Sequence, residues 1–375
     1  MNNTTKVALI LFLAIQLAGC GGSGPQSPGG GTPGQDGIAG ETKGEEADRM
    51  SVRDAVGQMF VFSMNGTEPD YYIEKMIRER NIGGVILFGP NMQSEEGTRS
   101  LTESLQKLSM STEPGIPLFI AVDHEGGPVQ HAPWVGLQPS AAEVGLGGDP
   151  AEARRISAQI GRELRRAGVN TDFAPVADTG SGAAIGDRSY GADPGLVGRM
   201  AAASVEGFEE AGVVSAAKHF PNHGPATADS HVGYPTVEHG MEEVRATDLP
   251  PFRDATEAGV PMVMVGHLVY PSIDPEHPAS LSPKATRLLR EEVGFRGVIV
   301  TDDLAMEGAK RGGTSARAAV EAVQAGADLL VLSGLPQEQA DAYDAVVAAV
   351  EAGEVSRERI DDSVRRIREV KARFL

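Results

Sequence analysis

The sequence predicts a single (β/α)8 barrel of the triosephosphate-isomerase type over residues 50–375. Three observations predict it. Eight short, β-rich apolar runs follow Met50, and most are apolar throughout, as strands covered on both faces should be. Helix-compatible stretches separate these runs. Finally, Gly168, Gly212, Gly259 and Gly326 each follow an alanine at a helix end just before the next run, as helix-terminating glycines do. An open doubly wound sheet fits less well: no GxGxxG follows the first run, and eight runs favour closure.

In chain order, the first twenty residues stand outside this fold. Lys6 precedes nine apolar residues, Val7 to Ile15, and the segment ends in Leu17-Ala18-Gly19-Cys20. Such a run suits the core of a signal peptide and is too short to span a bilayer. The box before Cys20 resembles a bacterial lipobox, which implies cleavage before Cys20 and lipidation of its thiol. Residues 1–20 are therefore expected to be a lipoprotein signal peptide. The expected location is the cell envelope, lipid-anchored on the outer side of the cytoplasmic membrane or at the outer membrane. Residues 21–49 hold ten Gly and three Pro, and their only apolar side chains are Ile38 and two Ala. They cannot bury enough surface to offset ordering entropy, and read as a flexible tether reaching about 30 Å.

The expected strands are Met59–Met64, Gly84–Phe88, Leu118–Val122, Thr171–Val176, Ser215–His219, Pro261–Val265, Val298–Thr301 and Asp328–Leu332. Pro150–Ala167 and Pro194–Ala211 are the clearest helices between them. With 41% hydrophobic residues the chain can bury a large core. Its net charge of −19 excludes a nucleic-acid binder working through phosphate contacts and argues against adhesion to anionic lipid. One cysteine permits neither an intrachain disulfide nor a multi-cysteine zinc site.

A barrel of this kind keeps its chemistry at the C-terminal ends of its strands. There the sequence places Asp123-His124-Glu125 after the third strand and Gly186-Asp187-Arg188 after the fourth. Lys218-His219-Phe220-Pro221-Asn222-His223, then Asp229-Ser230-His231, mark the fifth. His267 follows the sixth and Asp302-Asp303 the seventh. Six of the eight histidines (His124, His131, His219, His223, His231 and His267) fall on this rim. Facing carboxylates suit glycoside cleavage, in which one attacks the anomeric carbon and a second group protonates the leaving oxygen. A metallohydrolase is the other chemistry for such a rim. The first strand, however, carries no ligand, and neither a metal nor another cofactor is expected.

The run from Lys218 to His231 resembles the KHFPGHG…DSH signature of family 3 glycoside hydrolases, and more narrowly that of their β-N-acetylglucosaminidase subgroup. Val300 to Gly308 resembles the subgroup's SDDLxMxG strand, and Asp123 to Gly127 its DxEGG. Phe173 to Asp178 and Gly186 to Ser189 resemble its FAPVxD and GxRSF segments, and Ile360 to Ile367 its closing helix.

The resemblance implies a retaining, exo-acting β-N-acetylhexosaminidase. It would remove terminal β-linked N-acetylglucosamine from cell-wall or chitin-derived oligosaccharides through a covalent glycosyl-enzyme. Asp302 is implied as nucleophile, and His231 as acid/base with Asp229 as its partner. Asp123, Arg188, Lys218 and His219 are implied as grips on sugar hydroxyls. The chemistry agrees. An imidazole titrates near neutrality, and a carboxylate two residues away can orient it and stabilise its protonated form. Lys and Arg supply several donors, and an ionised Asp accepts two hydroxyls. Asp303 reads as a cap for the next helix. Trp134 reads either as a stacking platform or as a packed loop aromatic.

Two departures stand out. His131 replaces an arginine of the family's EGGRVQR, a usual sugar contact, and Pro128 replaces the other. Asn222 replaces a glycine, a change eased by asparagine's tolerance of positive φ. Without an acid/base role for His231, Glu125 is the next proton donor to consider. A β-glucosidase or other exo-glycosidase, a glycoside phosphorylase and a non-catalytic sugar-binding lipoprotein remain open readings. The expected partners are a small carbohydrate and the membrane through Cys20. A monomer with no C-terminal sandwich domain is expected.

Overall fold

The computed structural model describes residues 50–180, 182, 185–226 and 235–375. Cys20, Asp229 and His231 lie outside them, as do the signal and tether assigned to residues 1–49. Eight strands run in parallel: β1 (Phe60–Ser63), β2 (Gly84–Ile86), β3 (Phe119–Val122), β4 (Thr171–Asp172), β5 (Val214–Phe220), β6 (Met262–Val265), β7 (Val298–Thr301) and β8 (Leu330–Leu332). Each of the first seven pairs with its chain neighbour, and β8 returns to β1 with Val331 opposite Val61. The last seam closes where Thr301 N–H donates to the Leu329 carbonyl and Leu329 N–H to that of Ile299, both at 3.0 Å. The expected closed barrel is what forms, and closure leaves no sheet edge bare.

Several strands are shorter than the apolar runs that announced them, and β4 and β8 show why. β4 stops at Asp172 because Pro175 has no N–H for the ladder. Pairing resumes as a bridge between Val176 and Lys218. β8 begins at Leu330 because Asp328 serves another purpose. Its fully buried carboxylate meets Arg290 at 2.6 Å, Arg366 at 3.0 Å and Arg359 at 3.4 Å.

The helix Pro150–Arg166 shows how the outer layer forms. Asp149 caps it by accepting from Ala151 N–H, and Pro150 supplies a preset φ at its first turn. Ile156, Ile160 and Leu164 recur every four residues and are buried, while Arg155, Arg162 and Arg166 face solvent. Each of the three contributes roughly 2 kcal/mol of apolar burial. Gly168 ends the helix at φ +78°, where a Cβ would lie 2.1 Å from Thr102 Oγ1. The final helix, Arg357–Phe374, reaches the N-terminal mouth of the barrel. There Lys371, 3% exposed, donates to Gln58 Oε1 and to the Gly83 carbonyl, each at 2.9 Å.

Candidate active site

A cavity of about 250 Å³ opens among the C-terminal ends of the strands. Asp123, His131, Arg188, Lys218, His219 and Asp302 all line it, so every candidate catalytic or sugar-binding position that falls among the described residues meets the others in one place. Asp229, His231 and Cys20 lie outside the described residues. Lys218 and His219 are consecutive on β5, and strand side chains normally alternate between faces. Both reach the cavity because the register with β6 slips between Lys218 and Phe220.

The cations are held by carboxylates. Lys218 Nζ lies 2.5 Å from Asp123 Oδ1 and 2.7 Å from Glu125 Oε1. Arg188 grips Glu125 with a planar fork, Nε to Oε2 and Nη2 to Oε1, both 2.8 Å. Burial opposes the charge on Lys218, but Asp123 and Glu125 outweigh it and hold the ammonium protonated. Burial also opposes the charge on Glu125. Lys218 and Arg188 overcome it and hold that carboxyl at about 2. Glu125 therefore has no proton to donate at neutral pH, which removes it as the reserve acid.

Asp302 stands at the end of β7. Burial favours its neutral form, but His267, His219, the Asp303 N–H and Lys218 prevail and hold it at about 2. The Asp303 N–H donates to Asp302 Oδ1 at 2.8 Å. An ionised carboxylate, oriented and facing a cavity, is what nucleophilic attack requires.

Asp303 does not cap the following helix as expected. Glu307–Lys310 starts after Met306 with no side-chain cap. Asp303 Oδ1 instead accepts from Ala305 N–H and Ser333 N–H, each at 2.9 Å, and Oδ2 takes the Ser333 hydroxyl. It thus ties the β7 turn to the end of β8. The fully buried His267 places Nε2 2.9 Å from the Asp303 carbonyl. A carbonyl only accepts, so that nitrogen carries the proton. His267 thereby steadies the peptide next to the nucleophile.

Asp178 stands in the FAPVxD segment, and the sequence reading gave it no task. In the structure it accepts from His219 Nδ1 at 2.7 Å and from the His223 N–H at 2.6 Å. Burial works against its charge, yet His219 and these donors keep it below the usual carboxylate range. The pairing fixes the proton of His219 on Nδ1 and orients its ring. Burial, then His219, pushes His223 down, favouring its neutral form.

The remaining expectations divide. His131 does line the cavity, its ring edge-on to Phe88 with centroids 5.8 Å apart. Trp134 does not line the cavity. Its Nε1 donates to the Glu163 carbonyl at 3.4 Å, so it is the packed loop aromatic. Asn222 is tolerated for a different reason from the one expected. Among the described residues only Asn81 and Arg311 combine a side chain with positive φ. Asn222 earns its place through hydrogen bonds: its Oδ1 accepts from Thr179 N–H and Gly224 N–H.

A closed parallel barrel whose mouth gathers an ionised aspartate, imidazoles and a paired cation cluster has the groups that glycoside cleavage requires. It offers a nucleophile for an electrophilic carbon and charged groups for hydroxyls. The chain belongs to glycoside hydrolase family 3, and the sequence model of the Glycosyl hydrolase family 3 N terminal domain matches residues 51–370. It is 35% identical over 330 residues to Beta-hexosaminidase A of Pseudoalteromonas piscicida, covering 80% of this chain and 55% of that one. Its fold matches a family 3 β-N-acetylglucosaminidase from Paenibacillus sp. str. FPU-7 with a TM-score of 0.85. The two are 39% identical, over 87% of this chain and 63% of the other. The β-N-acetylhexosaminidase of Beutenbergia cavernae DSM 12333 gives a TM-score of 0.80 at 29% identity, over 86% and 99% of the two chains. The chain thus spans less than two thirds of the first two relatives.

Proposed function

We propose that the chain is a retaining, exo-acting β-N-acetylhexosaminidase acting on terminal β-linked N-acetylglucosamine in cell-wall or chitin-derived oligosaccharides. The observation that carries this reading is Asp302, held ionised on the wall of the rim cavity. The names of the relatives favour the N-acetyl sugar. A space of about 250 Å³ is below the ~300 Å³ at which pockets for larger ligands begin, and suits one terminal ring.

Asp302 attacks the anomeric carbon while His231, partnered by Asp229, protonates the leaving oxygen. The same imidazole then takes a proton from the water that releases the sugar. Lys218, Arg188, Asp123 and His219 hold the ring hydroxyls, with His131 at the edge. Matched aryl β-N-acetylglucosaminide and β-glucoside substrates test the sugar class. We expect turnover of the first to dominate, and a preference for the glucoside would move the assignment to a β-glucosidase. Added phosphate should leave a free sugar as product; a sugar phosphate would make the protein a phosphorylase.

The proton donor has its own test. A poor leaving group needs its proton in the transition state, so His231→Ala should slow disaccharides by about 10²- to 10⁴-fold. Activated aryl glycosides should lose far less in their first step, and the glycosyl-enzyme should accumulate. Equal losses on both substrates without accumulation would make His231 a structural residue.

We further propose a lipid anchor at Cys20. One acyl chain binds membranes marginally, so two or more are expected there. Cys20→Ser should move the protein out of the membrane fraction with activity intact, and continued membrane association would sink the anchor.

A further inference from the structure

We infer that Asp248 is a positioning residue: its one buried carboxylate clasps both stems of the segment that carries Asp229 and His231. The inference rests on the acid/base reading of that pair proposed above. Asp248 is fully buried. Its Oδ1 accepts from Asn222 Nδ2 at 2.8 Å, on the stem that leaves β5. Its Oδ2 lies 2.9 Å from His239 Nδ1, on the stem that returns. Thr247 Oγ1 adds a bond to Oδ1 at 3.2 Å.

Each stem is secured further. Asn222 Nδ2 also donates to Thr179 Oγ1 at 2.5 Å, and its Oδ1 accepts from Thr179 N–H at 3.0 Å and Gly224 N–H at 2.9 Å. The Tyr270 hydroxyl donates to the Asn222 carbonyl at 2.5 Å. On the returning side, Val237 N–H donates to the Val269 carbonyl at 2.9 Å and Ser272 Oγ to the His239 carbonyl at 2.6 Å. His239 Nε2 lies 3.4 Å from Glu243 Oε1.

None of Asn222, His239, Asp248 and Tyr270 lines the cavity. Burying a carboxylate is costly unless it is bonded, and here the bonds come from two chain segments seventeen residues apart. The separation of the stems is thereby fixed from beneath. A general acid misplaced by about 1 Å loses about a hundredfold, so the clasp acts on proton delivery and leaves the nucleophile alone. Asparagine at 222 supplies the amide that a glycine there lacks.

The test uses the full chain with Asn222→Ala, His239→Ala and their combination, read by kcat/KM on an N-acetylglucosaminyl disaccharide and on an activated aryl glycoside. Melting temperatures are measured alongside. Each single variant should lose about tenfold to a hundredfold on the disaccharide and less than about threefold on the aryl glycoside. Because both act through one carboxylate, the double variant should be no worse than the worse single one. His239→Gln, which keeps an N–H donor for Asp248, should recover most of the disaccharide activity. Equal losses on both substrates, or additive losses in the double variant, would overturn the clasp. If His231→Ala shows the leaving-group split and the clasp variants do not, the clasp alone fails. If His231→Ala shows no split, the acid/base reading falls and the clasp with it.

Discussion

Asp302→Ala should lower turnover by on the order of 10⁵-fold while the barrel melts close to the parent temperature. The large effect follows from the division of labour at the end of β7. Asp302 lines the cavity with a carboxylate that His267, His219, the Asp303 N–H and Lys218 hold at about 2, so it is ionised at neutral pH. In the mechanism proposed above the other side chains hold the sugar, and none replaces the bond that Asp302 would form. Asp303 offers the contrast. Its carboxylate is committed to Ser333 and Ala305, and burial pushes its proton affinity up. Asp303→Ala should therefore cost stability and a smaller factor in rate. A slow substrate should leave its sugar on Asp302, located by peptide mapping. Labelling at Asp303 or Asp123 would overturn the assignment.

Glu125→Gln should show in stability first. One carboxylate serves both Lys218 and Arg188 in a site where its side chain is 6% exposed. Removing its charge leaves Lys218 with Asp123 alone and Arg188 without its fork. Breaking a buried pair from one side costs about 3–5 kcal/mol, and Asp123 keeps the loss near the lower end. A fall in Tm of about 4–5 °C follows for a domain of this size. KM should rise, because both cations lose the group that aims them.

The pH dependence has a definite sign. A carboxyl at about 2 in the fold, against an ordinary 4.5, contributes stability that is full above pH ~4.5. That contribution fades as pH falls toward ~2, and the variant's acid unfolding should be correspondingly flatter. An unchanged Tm with kcat lost at constant KM would instead make Glu125 a proton-transfer residue.

Most of this site was legible in the sequence because its parts sit at strand ends, and strand ends were marked by apolar runs. Asp123, Lys218, His219 and Asp302 each close such a run. The missed features depend on contacts that spacing does not encode. Asp178 gained its role only when β4 and β5 lay side by side, with the partner His219 forty-one positions away. Asp303 looked like a helix cap from its neighbours and became a cross-link because Ser333, thirty positions on, closes the barrel beside it. The ends of β4 and β8 were overextended for the same reason. A run of apolar letters cannot show that Pro175 lacks a donor at a ladder position or that Asp328 answers to three arginines. Asn222 was read through its backbone, whereas its amide is what the fold uses.

Lys371 at the base of the barrel bears on how the chain acquires its shape as it is made. Its bonds to Gln58 and Gly83 join positions 313 and 288 residues apart, and Arg357 reaches the Met50 carbonyl across 307. β1 is among the first strands to emerge, yet its second neighbour is the last strand of all. Until β8 arrives, the growing sheet has two open edges, and the Gly83 carbonyl has no ammonium to meet. Unpaired edges invite pairing with other chains, and distant contacts slow folding. Synthesis therefore passes through a long interval in which the nascent chain is most exposed to self-association, and it ends only when β8 pairs with β1 and Lys371 reaches Gln58 and Gly83.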